Sequence, residues 1–196
     1  MCGIAAAIAA VEARELVVYP TETVYGIGGD ATDTRVIEAV YQVKRRTRHK
    51  PLSVAVPTIA AVNQVANPTD RTRQFMEEFL PGPFTVVCER RSDLPEALTG
   101  GRERVGIRIP DHPLAQELLN ETPPLTATSA NRSGGVSATR PDELDPAIRE
   151  GVSAIIDGGQ TGGVASTVVD VDREEIHRRG AHANAVEEWF DQATSP

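Results

Sequence analysis

Leu16-Val17-Val18-Tyr19-Pro20-Thr21-Glu22-Thr23-Val24-Tyr25-Gly26 is an apolar run stopped by proline and followed by a polar segment. A short buried strand that delivers the chain into hydroxyls, a carboxylate and a phenol is how α/β domains build ligand sites at strand ends. Gly26 permits close backbone approach. Standing alone, the polar segment reads as an ordinary turn.

Outward from this stretch, short apolar runs alternate with helical patterns, which predicts an α/β domain. Residues 5–14 read as a helix. Asp33 or Thr34 caps a second over 35–44, with Val36, Val40 and Val43 on one face. Thr58 starts a helix to about Ala66 and Thr69 another to Leu80. Pro81-Gly82-Pro83 is a rigid turn. Helices follow at 113–120 and 185–192, the last packed down by Trp189 and Phe190. Strands are expected at 16–19, 52–56, 84–88, 105–109, 125–128, 154–156, 167–171 and 176–179. Arg108 falls between Ile107 and Ile109, on the face opposite both. So many strands exceed simple βαβ repetition. The expectation is one domain over 1–196, a twisted mixed sheet with helices on its faces.

Composition narrows the function. The chain of 196 residues carries 20 Lys and Arg against 28 Asp and Glu, a formal net charge of −8. Its only lysines, Lys44 and Lys50, bound the run Lys44-Arg45-Arg46-Thr47-Arg48-His49-Lys50, which contains no acid. One basic island on an acidic protein fits a compact anion such as a nucleotide phosphate, or a solvated helix end favoured by the helix dipole. A long nucleic-acid duplex asks for a basic face instead. The N-terminus, apolar but without a basic leader region, reads as a first helix, and no apolar stretch is long enough to span a bilayer. Cys2 and Cys88 match no metal or redox spacing and read as reduced thiols of a cytoplasmic protein.

Four segments carry candidate chemistry. Thr21 to Gly26 is the first. In the basic run, Lys44, Arg46, Arg48 and Lys50 alternate and would share one side of an extended segment; arginine forks and lysine point charges suit phosphate oxygens. Arg108 inside an apolar strand either pairs with an acid or holds a ligand carboxylate. Thr126 to Gly134, with Ser129 and Asn131, offers hydroxyls and an amide for phosphate, ribose or base edges, or for capping a turn. Gly158-Gly159-Gln160-Thr161-Gly162-Gly163 lacks the ending of a Walker loop and is a weak phosphate signal. Neither a GxSxG elbow nor a strand-linked GxGxxG occurs, and the four histidines show no metal-ligand spacing. Cations and hydroxyls without a proton-shuttling pair suit positioning and charge stabilisation, as in phosphoryl or nucleotidyl transfer.

VVYPTETVYGIG at 17–28, VKRRTRHKPL at 43–52, LPGPFTVV at 80–87, VGIRIPDHP at 105–113, LTATSANRSG at 125–134 and STVVDV at 166–171 together resemble the YrdC-like family of threonylcarbamoyl-adenylate synthases. The resemblance implies a YrdC-like fold with a concave basic cavity, in its short single-domain form. It also implies a nucleotidyltransferase condensing L-threonine, bicarbonate and ATP, with Mg2+, into L-threonylcarbamoyl-AMP and pyrophosphate. That product serves t6A formation at adenosine 37 of tRNA through a partner transfer complex, and direct tRNA contact by this chain is left open. The family's KxR…SxN signature falls on Lys44, Arg46, Ser129 and Asn131. By resemblance, Lys44 and Arg46 are catalytic. Arg46, Lys50, Ser129, Asn131, Ser137 and Arg179 bind ATP, and Thr23, Arg108 and Ser166 bind threonine. The chain departs from the family where Lys-Gly-Arg-Pro becomes Lys44-Arg45-Arg46-Thr47, and where Ala55 replaces a histidine of some longer members. Rival readings are an RNA-binding module and a YrdC-like paralogue with another carbamoyl acceptor.

Overall fold

Side-chain caps set several helix starts. Asp33 accepts from the Arg35 amide, Thr58 from Ala61, Thr69 from Thr72 and Asp145 from Ala147. Each satisfies an N–H that the first helical turn leaves unpaired. The computed structural model describes residues 3–193, so Cys2 lies outside the described residues.

In chain order the elements are α1 (Ile4–Glu12), β1 (Val17–Tyr19), β2 (Gly26–Gly28), α2 (Thr34–Val43), β3 (Ser53–Ala55), α3 (Ile59–Val62), β4 (Ala66–Asn67), α4 (Asp70–Phe79) and β5 (Phe84–Arg90). There follow α5 (Glu96–Thr99), β6 (Arg104–Arg108), α6 (Pro113–Asn120), β7 (Leu125–Ser129), α7 (Pro146–Glu150), β8 (Ala154–Ile155), β9 (Thr167–Asp170), β10 (Glu175–Arg178) and α8 (Ala183–Ala193). The strands form one sheet in the order β10-β9-β5-β6-β3-β7-β2-β1-β8, with β4 also pairing β5. Pairs β1/β8, β3/β6 and β5/β9 are parallel and the rest antiparallel. This is the mixed sheet that the strand count predicts.

One expectation needs correction. The helix from Thr58 to Ala66 stops at Val62, because Ala66 and Asn67 pair with Arg90 and Glu89 of β5. The polar segment after Pro20 bends at residues 22–24 and leads into a strand. Gly26 to Gly28 form β2, held between β1 and β7.

Strand alternation sorts side chains onto two faces. Val18, Ile27, Val54, Val86, Ile107 and Val169 point into the larger apolar core, where Val36, Val40, Phe75, Met76, Leu98 and Val186 from the helices meet them. Trp189 packs edge-on against Phe75, which docks α8 as its aromatics predict. The opposite face is covered at one end only. There Ala7 and Val11 of α1 and Ala115 and Leu118 of α6 pack on Val17, Tyr19 and Leu125. The remainder of that face is open, and it forms the wall of a large hollow.

Candidate active site

The hollow is a cavity of about 1110 Å³. Alternation along β6 aims Arg104, Gly106 and Arg108 into it, while Val105 and Ile107 face the core. Gly106 keeps the floor low, since a Cβ there would come within 2.7 Å of the Ser53 hydroxyl and 2.8 Å of Thr85 Cγ2. Among the described residues the lining cations are Arg46, Lys50, Arg102, Arg104, Arg108, Arg173 and Arg178, against the carboxylates Glu103 and Asp170. A surplus of positive charge on a chain of net charge −8 makes the cavity a site for anions.

Arg108 is buried on the wall. Its Nη2 donates to Glu22 Oε1 at 2.7 Å and to Thr23 Oγ1 at 3.3 Å. Asp111 N donates to the other Glu22 oxygen at 3.2 Å. Thr21 Oγ1 donates to Val24 O at 2.6 Å and lies 2.9 Å from Thr23 Oγ1, so the loop presents Thr23 in a fixed orientation. The lone strand arginine therefore has an acidic partner and also faces the open space.

Across the cavity, Ser166 Oγ lies 2.9 Å from Thr85 Oγ1 and accepts from Arg178 Nη2 at 2.8 Å. Arg178 Nε donates to Ser166 O at 3.0 Å. Burial, with Arg108 and Arg46 close by, holds the Arg178 guanidinium below the usual arginine value. Burial does the same to Arg46, whose Nε and Nη2 donate to Lys50 O and Pro51 O, each at 2.8 Å. A buried guanidinium with two other cations beside it favours an anion between them.

The basic run is not extended. Residues 44–45 and 48–49 are turns, and Arg45 sits at φ +48. Its cations accordingly diverge. Arg46 and Lys50 line the cavity. Arg48 leaves it to pair with Glu38 on the surface, through Nε to Oε1 at 3.1 Å. Lys44 turns inward and is 1% exposed. Its ammonium donates to Ser129 O and, at 2.6 Å, to Asn131 O. Its own carbonyl accepts from Ser133 N at 2.9 Å. Lys44 thus clamps the basic turn to the end of β7. Burial, then the charge on Arg46, pushes its pKa down to about 7.

Ser129 lines the cavity, and its hydroxyl donates to Asn131 Oδ1. Asn131 does not line it. Its Nδ2 donates to Arg132 O and Gly135 O at 2.8 and 2.7 Å, which folds the 131–135 loop back and carries Ser137 to the rim. Of the ten site residues expected from sequence, seven line the cavity (Thr23, Arg46, Lys50, Arg108, Ser129, Ser137 and Ser166). Lys44 and Asn131 form a layer behind it.

Arg179 is outside it. It is 54% exposed and paired with Glu187 and Asn184. Its neighbour Arg178 occupies the cavity instead, because the β9–β10 ladder shifts register between Ile176 and Arg178. The shift places His177 and Arg178 both on the open side. Alternation on β6 was a sequence signal for Arg104 as a companion of Arg108; no sequence pattern marked Arg178 over Arg179.

A twisted mixed sheet with a cation-lined hollow on its uncovered face defines an α/β domain built to receive anionic ligands. The chain belongs to the Sua5/YciO/YrdC family, whose sequence model, described as "Telomere recombination", matches residues 9–180. Threonylcarbamoyl-AMP synthase of Bacillus subtilis is 38% identical over 170 residues, 85% of this chain and 49% of that protein. A putative threonylcarbamoyl-AMP synthase of Methanocaldococcus jannaschii is 34% identical over 163 residues, 83% of this chain and 77% of the other. The crystal structure of P. abyssi Sua5 complexed with L-threonine matches with a TM-score of 0.83 at 32% identity, over 90% of this chain and 54% of that one. The chain spans about half the length of the Bacillus and P. abyssi proteins. Among the described residues no helix is long and apolar enough to cross a membrane.

Proposed function

We propose that this chain condenses L-threonine, bicarbonate and ATP into L-threonylcarbamoyl-AMP, pyrophosphate and water, in the cytoplasm, for t6A formation on tRNA by a partner transfer complex. The observation that carries the reading is the convergence of Arg46, Arg108 and Arg178 on one cavity whose wall also offers Thr23, Ser129 and Ser166 hydroxyls. The names of the relatives supply the particular substrates.

The electrostatics follow from the reactants. N-carboxy-threonine is an anion, and it must attack the α-phosphorus of another anion. Arg108, steadied by Glu22, and Thr23 hold the amino-acid carboxylate. Arg46 and Lys50 take the phosphate chain, and Ser129 and Ser137 the nucleotide. Arg178 stands on Ser166 with Arg108 and Arg46 as its charged neighbours, where it draws the two reactants together. A carbamate oxygen bonds to the α-phosphorus as the bond to pyrophosphate breaks, and fixed cations stabilise the charge that spreads over the equatorial oxygens. Among the described residues no group of three or more His, Cys, Asp or Glu is placed to hold a metal. A Mg2+ accompanying ATP would therefore be carried mainly by the phosphates of the nucleotide, and no step is routed through it.

The test mixes protein, ATP and bicarbonate with each of several amino acids. Pyrophosphate released only with L-threonine, with the matching adenylate in mass spectrometry, is the expected result. Release with another acceptor would make the chain a paralogue of different specificity. Salt-dependent tRNA binding without any turnover would make it an RNA-binding module.

A further inference from the structure

The cavity wall holds a buried polar side chain that the protein itself leaves unused. Tyr19, the last residue of β1, is 2% exposed. Its ring lies on β2. A Cβ at Gly26 would come within 3.2 Å of its Cζ, and one at Gly28 within 3.2 Å of its Cε1. The two glycines are the bed that lets an aromatic ring lie flat at this point of the sheet. Buried tyrosine hydroxyls ordinarily find a partner. Tyr25 follows that rule, donating to Gly159 O at 2.8 Å and accepting from Gly158 N at 3.0 Å. The Tyr19 hydroxyl has no hydrogen-bond partner among the described residues, and it is not one of the atoms sealed without a partner in the interior. It meets the cavity, whose wall Tyr19 shares with Thr23 and Arg108.

Its charged neighbours are Arg108 and Glu22. Glu22 makes no demand on it, since one of its oxygens accepts from Arg108 and the other from Asp111 N. Tyr19 and Arg108 share the wall of the cavity in which an anion drawn to Arg108 would rest. Burial pushes the Tyr19 pKa up to about 12, so the phenol keeps its proton and serves as a donor. An ionised oxygen is the acceptor that rewards such a donor most.

We infer that Tyr19 is a substrate-contacting residue whose hydroxyl donates a hydrogen bond to the amino-acid carboxylate held by Arg108. The inference rests on the threonylcarbamoyl-adenylate reading and adds a determinant of amino-acid binding to it. Arg108 supplies the charge and Tyr19 a second, directional contact, so the carboxylate is fixed in orientation as well as in place.

Tyr19→Phe removes an oxygen that no protein group bonds and leaves the ring on its glycines, so the unfolding midpoint should hold. In steady-state pyrophosphate release the KM for L-threonine should rise roughly 10- to 100-fold, as loss of a charge-assisted hydrogen bond predicts, with the KM for ATP unchanged. L-threoninol, which lacks the carboxylate, should compete equally with L-threonine's site in both proteins. A Tyr19→Phe enzyme with the wild-type KM for threonine, or one whose KM for ATP rises instead, overturns the inference. So does equal weakening of threoninol and threonine, which would assign the hydroxyl to another part of the ligand. A wild-type protein without threonine-dependent turnover removes the functional reading and the inference together. An active wild type that Tyr19→Phe matches removes the inference alone.

Discussion

Lys44→Met separates a clamp from a ligand contact. Methionine keeps an unbranched stem and deletes the ammonium. Asn131 O then loses its donor at a point where the side chain is 1% exposed, while Ser129 O keeps the Asn131 N–H at 2.9 Å. A buried acceptor left unpaired costs about 1–3 kcal/mol. Relief from burying a cation works against this, and its size depends on pH. With the folded pKa down at about 7 from 10.5, both folded and unfolded chains hold the proton at pH 6, and the wild type bears the whole burial penalty. Above pH 7 the folded chain releases the proton while the unfolded chain keeps it. Wild-type stability from this group therefore rises by about 1.4 kcal/mol per pH unit until the unfolded value is reached, and it is lost again as pH falls through 7. A neutral amine still has an N–H for each carbonyl, so the clamp survives deprotonation. The penalty of Lys44→Met should thus widen by about 2 kcal/mol between pH 6 and pH 8.5. In a domain of this size that is a gap in Tm growing by roughly 4–8 °C, read by calorimetry on both proteins. A gap that stays constant or narrows with pH refutes the buried-cation argument. A Lys44→Met protein as stable as wild type, yet inactive, would make Lys44 a substrate contact rather than a clamp.

Other expectations follow from the same geometry. Arg178→Ala should abolish threonine-dependent pyrophosphate release. Arg179→Ala, which breaks only exposed contacts with Glu187 and Asn184, should leave kcat unchanged and the unfolding midpoint close to wild type; the reverse pattern in pyrophosphate assays would restore Arg179 to the site. Cys88 is fully buried, and burial pushes its thiol up to about 12. A disulfide reagent should therefore label Cys88 only on unfolding, while Cys88→Ser should cost about 1–3 kcal/mol in urea titrations through the buried hydroxyl and leave activity intact. Gly106→Ala should weaken substrate binding by raising the cavity floor against Ser53 and Thr85, and unchanged KM values would show that the ligands do not reach that floor.

Where a local rule decides, the sequence was readable. Asp33 and Thr69 start their helices by side-chain caps, and α6 spans Pro113–Asn120 as its pattern predicts. Arg108 between two isoleucines turns to the face opposite both, because the strand period of two leaves no choice. What escaped depends on partners distant in the chain. Thr58 is a true cap, but Ala66 leaves the helical path because β5 takes it as a strand. Gly26 and Gly28 carry no side-chain pattern, and only β1 and β7 on either side make them a strand. The alternation of Lys44, Arg46, Arg48 and Lys50 presumes extended backbone, and the positive φ of Arg45 removes that premise. Arg178 and Arg179 are chemically alike, and a register shift against β9 decides which of them enters the cavity.

The parallel pairing of β9 with β5 also orders events during synthesis. Phe84 finds its partner in Thr167, so until the last strands emerge a nascent chain carries residues 84–86 of β5 unpaired on the side that β9 later fills, and a cavity without Ser166 or Arg178. Long-range pairing of this kind is closed late and slowly, and an unpaired edge is open to wrong partners meanwhile. The cavity is therefore complete only once the β9–β10 hairpin has closed on β5, which makes the last sheet pairings the ones that finish the site.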